Sequence, residues 1–407
     1  MSRAPRQPRF HPFLIVPRPV FSYSGVVRIR PRRPSVHAWQ RGAVGRGIVV
    51  LGLVAVLGLG GWLVAQSDRD DEAAAKPAGR KPVPSVLMAS APLDAQAPTP
   101  LGPELNAWIR DMARKLEIPE RALIGYANAE LELRDEMPGC ELSWITLAGI
   151  GKAASDHGRI GDRTIESNGA TSPPIGTVPL GVPGGEQQET SAAEGPMQLS
   201  PELWDEWRRS ARDGREADVQ NIDDAALTAG RALCAGGRNT SDGRGWWQAI
   251  ESYHDSELFL QRVLANANLY AALASSDVTP SSRAVRAVKF AIGQLGLPYV
   301  WGGNGPQAGA KGFDCSGLTT AAYARAGVQL PRTAHWQFGA VPRVRPDEEP
   351  QLGDLVFYGN PNTKIHHVGL YIGNNLMINA PTFGQAVQIH NYRSEGDDYA
   401  GAGRPAN

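Results

Sequence analysis

The stretch Gly312-Phe313-Asp314-Cys315-Ser316-Gly317-Leu318 places a cysteine where a loop becomes a helix. Further on, His366-His367-Val368-Gly369-Leu370-Tyr371-Ile372-Gly373 places a histidine at the head of a short apolar strand. A thiol needs a base to become a thiolate, and a helix N-terminus favours the anion. Cys315 and His367 therefore read as the nucleophile and base of a cysteine hydrolase. The histidines show no ligand-like spacing, so neither a metal nor a cofactor is expected. His366 should point to the opposite strand face and be solvated or peripheral. His335 is expected to be structural or to line the substrate.

Around this pair the chain reads as an α+β domain over 283–407. SRAVRAVKFAIGQL is an amphipathic helix that stops at Gly296-Leu297-Pro298. The Cys315 helix follows. Strand-like runs then come at Leu355 to Tyr358, Val368 to Ile372, Leu376 to Ile378 and Val387 to His390, separated by Gly, Asn and Pro. A short linker over 275–282 precedes this domain. The region 104–274 is helical in pattern, with Leu105, Trp108, Ile109, Met112 and Leu116 on one face of its first helix. A loop rich in Gly, Pro, Ser and Thr over about 161–194 interrupts it, and almost no strand signal appears. It reads as an all-α domain.

The chain has 407 residues, with 41 basic and 41 acidic side chains. Net charge therefore gives no nucleic-acid footprint. The cancellation hides an asymmetry. Residues 1–46 are rich in Arg and Pro and carry no acid, which reads as a disordered tail. Residues 47–65, GIVVLGLVAVLGLGGWLVA, carry no charge and are long enough to span a bilayer as one helix. Arg41 and Arg46 lie on one side, and Asp68, Asp70, Asp71 and Glu72 crowd the other. The basic side should stay in the cytoplasm and the rest of the chain lie outside a bacterial membrane. A cleaved signal peptide is the rival, but its basic region would be too long. Residues 66–103 read as a tether. Cys140, Cys234 and Cys315 are the cysteines. Outside a membrane one disulfide and one free thiol is the simplest arithmetic, and the setting of Cys315 leaves Cys140 to pair with Cys234.

The second domain resembles the NlpC/p60 family of papain-like cell-wall peptidases. The likeness rests on LGLPYVWGG (295–303), FDCSGL (313–318), LPRTAHWQF (330–338), LGDLVFY (352–358) and HVGLYIGNNLMINAP (367–381). It implies that Cys315 is the nucleophile, His367 the base and Asn379 the polar group that orients the imidazole. It implies further that Tyr299 lies beside the thiolate and helps to stabilise the oxyanion, and that Asp314 and Ser316 grip the substrate's amino group. The family cuts peptidoglycan stem peptides, typically between D-isoglutamate and a diamino acid, through a thioester.

The first domain resembles the MltB-like lytic transglycosylases of the lysozyme superfamily. The likeness lies in LSWITLAGIGKAASDHGRI (142–160), GPMQLSPELW (195–204), QNIDDAALTAGRALC (220–234) and AIESYHDSELFLQRVL (249–264). Cys140 and Cys234 match a disulfide of such relatives. The family motif reads GIG-x-x-ES-x-HG, and its glutamate protonates the glycosidic oxygen. Here that position holds Ala154, followed by Ser155, and a methyl group transfers no proton. Either the domain is a glycan-binding module, or an active enzyme was inactivated by Glu→Ala. The rest of the cleft implied by the resemblance is Met197, Gln198, Asn221 and Tyr253. Asp156 should point elsewhere from its helix. Glu166 and Glu194 are candidate substitute acids, and Trp204, Trp246 and Trp247 are candidates for stacking on sugars. The two resemblances together imply a membrane-anchored wall hydrolase whose partners are glycan strands, stem peptides and, by architecture, channel proteins of a conjugative apparatus. The rival class is a non-enzymatic wall-binding scaffold.

Overall fold

The computed structural model describes residues 103–182, 192–275 and 280–405, together with the backbone at 187–188. The expected tail, membrane span and nearly all of the tether lie outside the described residues. Among the described residues no helix is long and apolar enough to cross a membrane.

Seven helices make up the described part of the first domain: α1 (Pro103–Leu116), α2 (Glu120–Glu136), α3 (Trp144–Ser155), α4 (Pro201–Trp207), α5 (Ile222–Leu233), α6 (Gly243–Tyr253) and α7 (Glu257–Ala274). Their starts are written in the sequence. Ser143, Ser200, Asn221 and Asp242 each stand at an N-cap and accept a backbone N–H of the first turn. α2 packs on α5, and α3 on α7. The α3–α7 approach needs Gly149, because a Cβ there would lie 2.8 Å from the Val263 carbonyl oxygen. Trp144, Tyr126 and Trp246 fill the centre.

The all-α expectation requires a correction in the 161–194 loop. It carries two short antiparallel hairpins, β1 (Thr164–Ile165) with β2 (Thr171–Ser172), and β3 (Leu180–Gly181) with β4 (Gln187–Gln188). Pairs of two residues leave no alternating hydrophobic pattern to read. Gln220 and Gln198 tie the loop down: the Gln220 side chain accepts from Ile175 N and Thr171 Oγ1, and the Gln198 side chain accepts from Val178 N.

In the second domain α8 (Ser282–Ile292), α9 (Cys315–Arg325) and α10 (Ala334–Ala340) cover a five-stranded sheet. Its strands are β5 (Leu355–Asn360), β6 (Lys364–Gly373), β7 (Leu376–Asn379), β8 (Gln388–Asn391) and β9 (Tyr399–Gly403). All neighbours are antiparallel, in the order β8-β7-β6-β5-β9. The sequence YAGAG gave no strand signal for β9, since it lacks β-branched residues. Its strand state comes from pairing with the free edge of β5. The two domains share one apolar core. α7 also contacts β6 and β8, and its Gln261 Oε1 accepts from Ile389 N at 2.9 Å.

Cys140 and Cys234 are bonded, with Cα atoms 5.4 Å apart. The bridge ties the 3-10 turn after α2 to the end of α5 and closes a loop of 94 residues. Replacing both cysteines by alanine should lower stability by about 2–4 kcal/mol, read as a lower urea midpoint. An unchanged midpoint would show that the helices hold this corner unaided.

Candidate active site and a cleft in the first domain

Cys315 is the first residue of α9, and it is the free cysteine of the chain. Asp314 is the N-cap, and its Oδ1 accepts from Gly317 N at 2.6 Å. The turn is dense with backbone. A Cβ at Gly312 would lie 1.8 Å from the Pro298 carbonyl oxygen, and one at Gly317 would lie 2.0 Å from that of Gly303. Only glycine fits either place, so segment 298–303 lies directly against the entry to the helix. Tyr299 bridges in parallel to Phe313, which sets it alongside the turn into Cys315. It is buried, as is Cys315.

His367 is fully buried on β6, the strand on which α9 packs. Its Nε2 lies 3.1 Å from Asn379 Oδ1. An amide oxygen only accepts, so Nε2 carries the proton and Nδ1 holds the basic lone pair. The structure thus brings His367 and Asn379 together as the sequence implied. It also adds His390, which was read only as a strand residue. Asn379 Nδ2 donates to His390 Nδ1 at 3.0 Å. Burial pushes the His390 ring down to about 4, so at neutral pH it is uncharged and able to accept. His390 therefore holds the Asn379 amide with its oxygen toward His367. Register could have shown this, since Met377 on β7 pairs with His390 on β8.

His366 is peripheral rather than freely solvated. It is half-buried, and its Nε2 lies 2.7 Å from Asp398 Oδ2. The cause is a bulge: Tyr358 pairs with His367 but Gly359 pairs with Ile365, leaving His366 as the extra residue. Gly359, at φ +126°, was the sequence signal. His335 Nδ1 accepts from Ile365 N at 3.3 Å. Two residues in the LPRTAHWQF segment gained no role from sequence but touch the site. The Gln337 amide is fully buried and donates to the Ser316 carbonyl. Arg332 forks onto Asp314 and also donates to Ser316 Oγ at 3.1 Å.

In the first domain a cleft of about 250 Å³ is lined by Ala154, Ser155 and Gln198, with Lys152, Asp156, His254, Phe259 and Arg262 among its other walls. Met197, Asn221 and Tyr253 do not line it. Tyr253 is buried and donates to the Met197 carbonyl at 2.6 Å, and Asn221 caps α5. Ser155 is also committed, donating to the Pro196 carbonyl at 2.6 Å and accepting from Gly158 N. Asp156 corrects the expectation that it points away: α3 ends at Ser155, and Asp156 turns left-handed at φ +52° into the cleft wall. Lys152 and Arg159 pair with it. Glu166 and Glu194, the candidate substitute acids, are exposed and not among the lining residues. Nor do Trp204, Trp246 and Trp247 line it; Trp246 is core, donating to Thr146 Oγ1. Behind the cleft His157 is fully buried between the hydroxyls of Tyr126 (3.1 Å) and Tyr270 (2.8 Å). Burial holds its ring far below the usual histidine range, so it stays neutral, with one nitrogen donating and the other accepting.

Comparison with known proteins bears on the second domain. Residues 296–400 match the profile of the NlpC/P60 family. The bifunctional muramidase/DL-endopeptidase CwlT of Bacillus subtilis is 45% identical over 95 residues, which is 23% of this chain and 28% of that protein. The peptidoglycan endopeptidase RipA of Mycobacterium tuberculosis is 36% identical over 118 residues, 27% of this chain and 24% of that one. A crystal structure of an NlpC/P60 family protein from Bacillus cereus is 34% identical and covers 31% of this chain and 42% of its own, with a TM-score of 0.28. The matched stretch thus spans less than a third of either curated relative. The stretch that carries Cys315, His367 and Asn379 is thus similar to the NlpC/P60 family.

Proposed function

We propose that this chain is a peptidoglycan hydrolase whose C-terminal domain cleaves stem peptides with Cys315 as nucleophile. One observation carries the reading: His367 is buried beside the Cys315 helix with its tautomer set by Asn379. His367 Nδ1 takes the thiol proton, and the positive end of α9 favours the thiolate. The sulfur attacks the scissile carbonyl, and the tetrahedral oxyanion forms near the first turn of α9 and Tyr299. Collapse gives a thioester on Cys315 as the imidazolium protonates the leaving amine. Water, deprotonated by His367, then releases the acid. The related endopeptidases support peptidoglycan as substrate, and the family habit suggests the bond between D-isoglutamate and a diamino acid.

For the first domain the reading is a glycan-binding module of lysozyme-like type. Ala154 favours binding over cleavage, because the one carboxylate among the described residues that line the cleft, Asp156, is engaged by two cations. The name of the Bacillus subtilis relative joins a muramidase to an endopeptidase, which supports pairing a glycan module with a peptidase. The charge-free run at 47–65 would tether both domains outside a membrane, and wall opening for a conjugation channel is the role such a layout suits. A binding-only scaffold is the rival.

Three outcomes test this reading. Cys315→Ala or His367→Ala should reduce stem-peptide cleavage by several orders of magnitude, measured by mass spectrometry of digested muropeptides. Unchanged products from folded Cys315→Ala protein would refute the nucleophile. His390→Leu should lower kcat about 10–100-fold with KM little changed, since it frees the Asn379 amide to turn. His390→Gln, which keeps an acceptor, should recover part of the loss, and equal rates for all three proteins would deny His390 its positioning role. Ala154→Glu, with Cys315 also replaced, should release glycan with anhydro-muramic ends, whereas the Ala154 chain should bind glycan uncut. Cleavage by the Ala154 chain would require another acid, and cleavage by neither would leave a binding module alone.

A further inference from the structure

Arg121, Arg332 and Arg404 are half-buried, and each faces a carboxylate. Arg262, on α7, is half-buried without one. It lines the first-domain cleft, and its one hydrogen bond among the described residues runs from Nη2 to the Gly181 carbonyl at 2.6 Å. Gly181 is itself part of the lining, so the guanidinium is held at the cleft wall. Most of its N–H groups are left over, since arginine carries five. Burial lowers its pKa, and no acid pulls it back up. The group stays charged all the same. A desolvated cation without a counter-charge is costly, and buried charges are ordinarily paired.

The rest of the lining makes the imbalance plain. Among the described residues the cleft is walled by two cations, Lys152 and Arg262, and by the single carboxylate of Asp156. Asp156 is already paired with Lys152 and with Arg159. His254 adds no charge at neutral pH, because burial lowers its pKa. The Gln198 amide is spent on the loop, accepting from Val178 N and donating to the Gly176 and Gly195 carbonyls. A carboxylate at position 154 would balance the two cations. Ala154 leaves the cleft with a positive charge in excess.

Resting on the glycan-binding reading, we propose that this cleft takes an anionic sugar, with Arg262 as the residue that selects its carboxylate. In the glycan of peptidoglycan that carboxylate is the lactyl group of muramic acid. It is free only where the stem peptide has been removed, because an attached peptide holds it as an uncharged amide. The cleft therefore prefers stripped strands to peptide-bearing ones. The lactyl carboxylate supplies the counter-charge that Arg262 lacks, and a guanidinium can hold it through two N–H groups.

The test measures binding to the full-length Cys315→Ala protein by calorimetry. The probes are N-acetylglucosaminyl-N-acetylmuramic acid, the same disaccharide with its lactyl carboxyl as a methylamide, and inorganic phosphate. The free acid should bind at least about tenfold tighter than the methylamide, a difference of about 1.4 kcal/mol. Arg262→Gln should abolish that preference while leaving the affinity for the methylamide unchanged. Ala154→Glu should narrow it as well, by restoring the balance of charge. Equal binding of the two sugars overturns the selection while the glycan-binding reading stands. A preference that survives in folded Arg262→Gln protein overturns the role of Arg262. Binding of phosphate without either sugar makes the cleft a general anion site and overturns the sugar assignment. Binding of no probe refutes both the selection and the glycan-binding reading.

Discussion

The Asp314 carboxylate is the constraint on which the peptidase site depends. It caps α9, so Cys315 stands at the positive end of a helix. It holds Gly302 N, so the segment carrying Tyr299 lies against the helix entry. It anchors Arg332, and through Arg332 the approach to α10. A buried charge is tolerable only when paired and fully hydrogen-bonded, and this one is both. Removing Asp314 would release all three segments at once, and removing Arg332 would leave a buried carboxylate without its cation.

The base is held by a separate chain of contacts, from His390 through Asn379 to His367. Its members sit on neighbouring strands in the order β8, β7, β6, so sheet register sets their spacing. This polar line runs through an apolar setting, where an unpaired amide would be costly. The nucleophile thus rides on a helix and the base on a sheet. The packing of α9 on β6 is what joins them.

α7 joins the two domains. One helix supplies Val263 to the close approach of α3, Phe259 and Arg262 to the first-domain cleft, and Gln261 to the edge of β8. The cleft keeps a built frame: a disulfide, a neutral histidine between two tyrosine hydroxyls, and a capped α5. On the proposed glycan-binding reading, this frame would hold the ligand and Ala154 would supply no acid for cleavage.

Much of this was legible in the residues themselves. Helical periodicity marked out helices, apolar runs bounded by Gly, Asn and Pro marked out four strands, the two motifs pointed to Cys315 and His367, and the family resemblance implied Asn379. These are local signals, since periodicity depends on neighbours a few residues away. The remainder depends on segments distant along the chain. β9 is a strand only because β5 has an open edge, and His366 is turned by a bulge that appears only on pairing. His390 matters through its strand partner. Arg332 lies fewer than twenty residues from Asp314, yet no local rule says that the two would fork together. Sequence alone named the nucleophile and base, whereas folding decided that the carboxylate beside the nucleophile is already occupied. The reason is physical: whether a charge is free for substrate depends on what is packed against it, and only the tertiary structure fixes that.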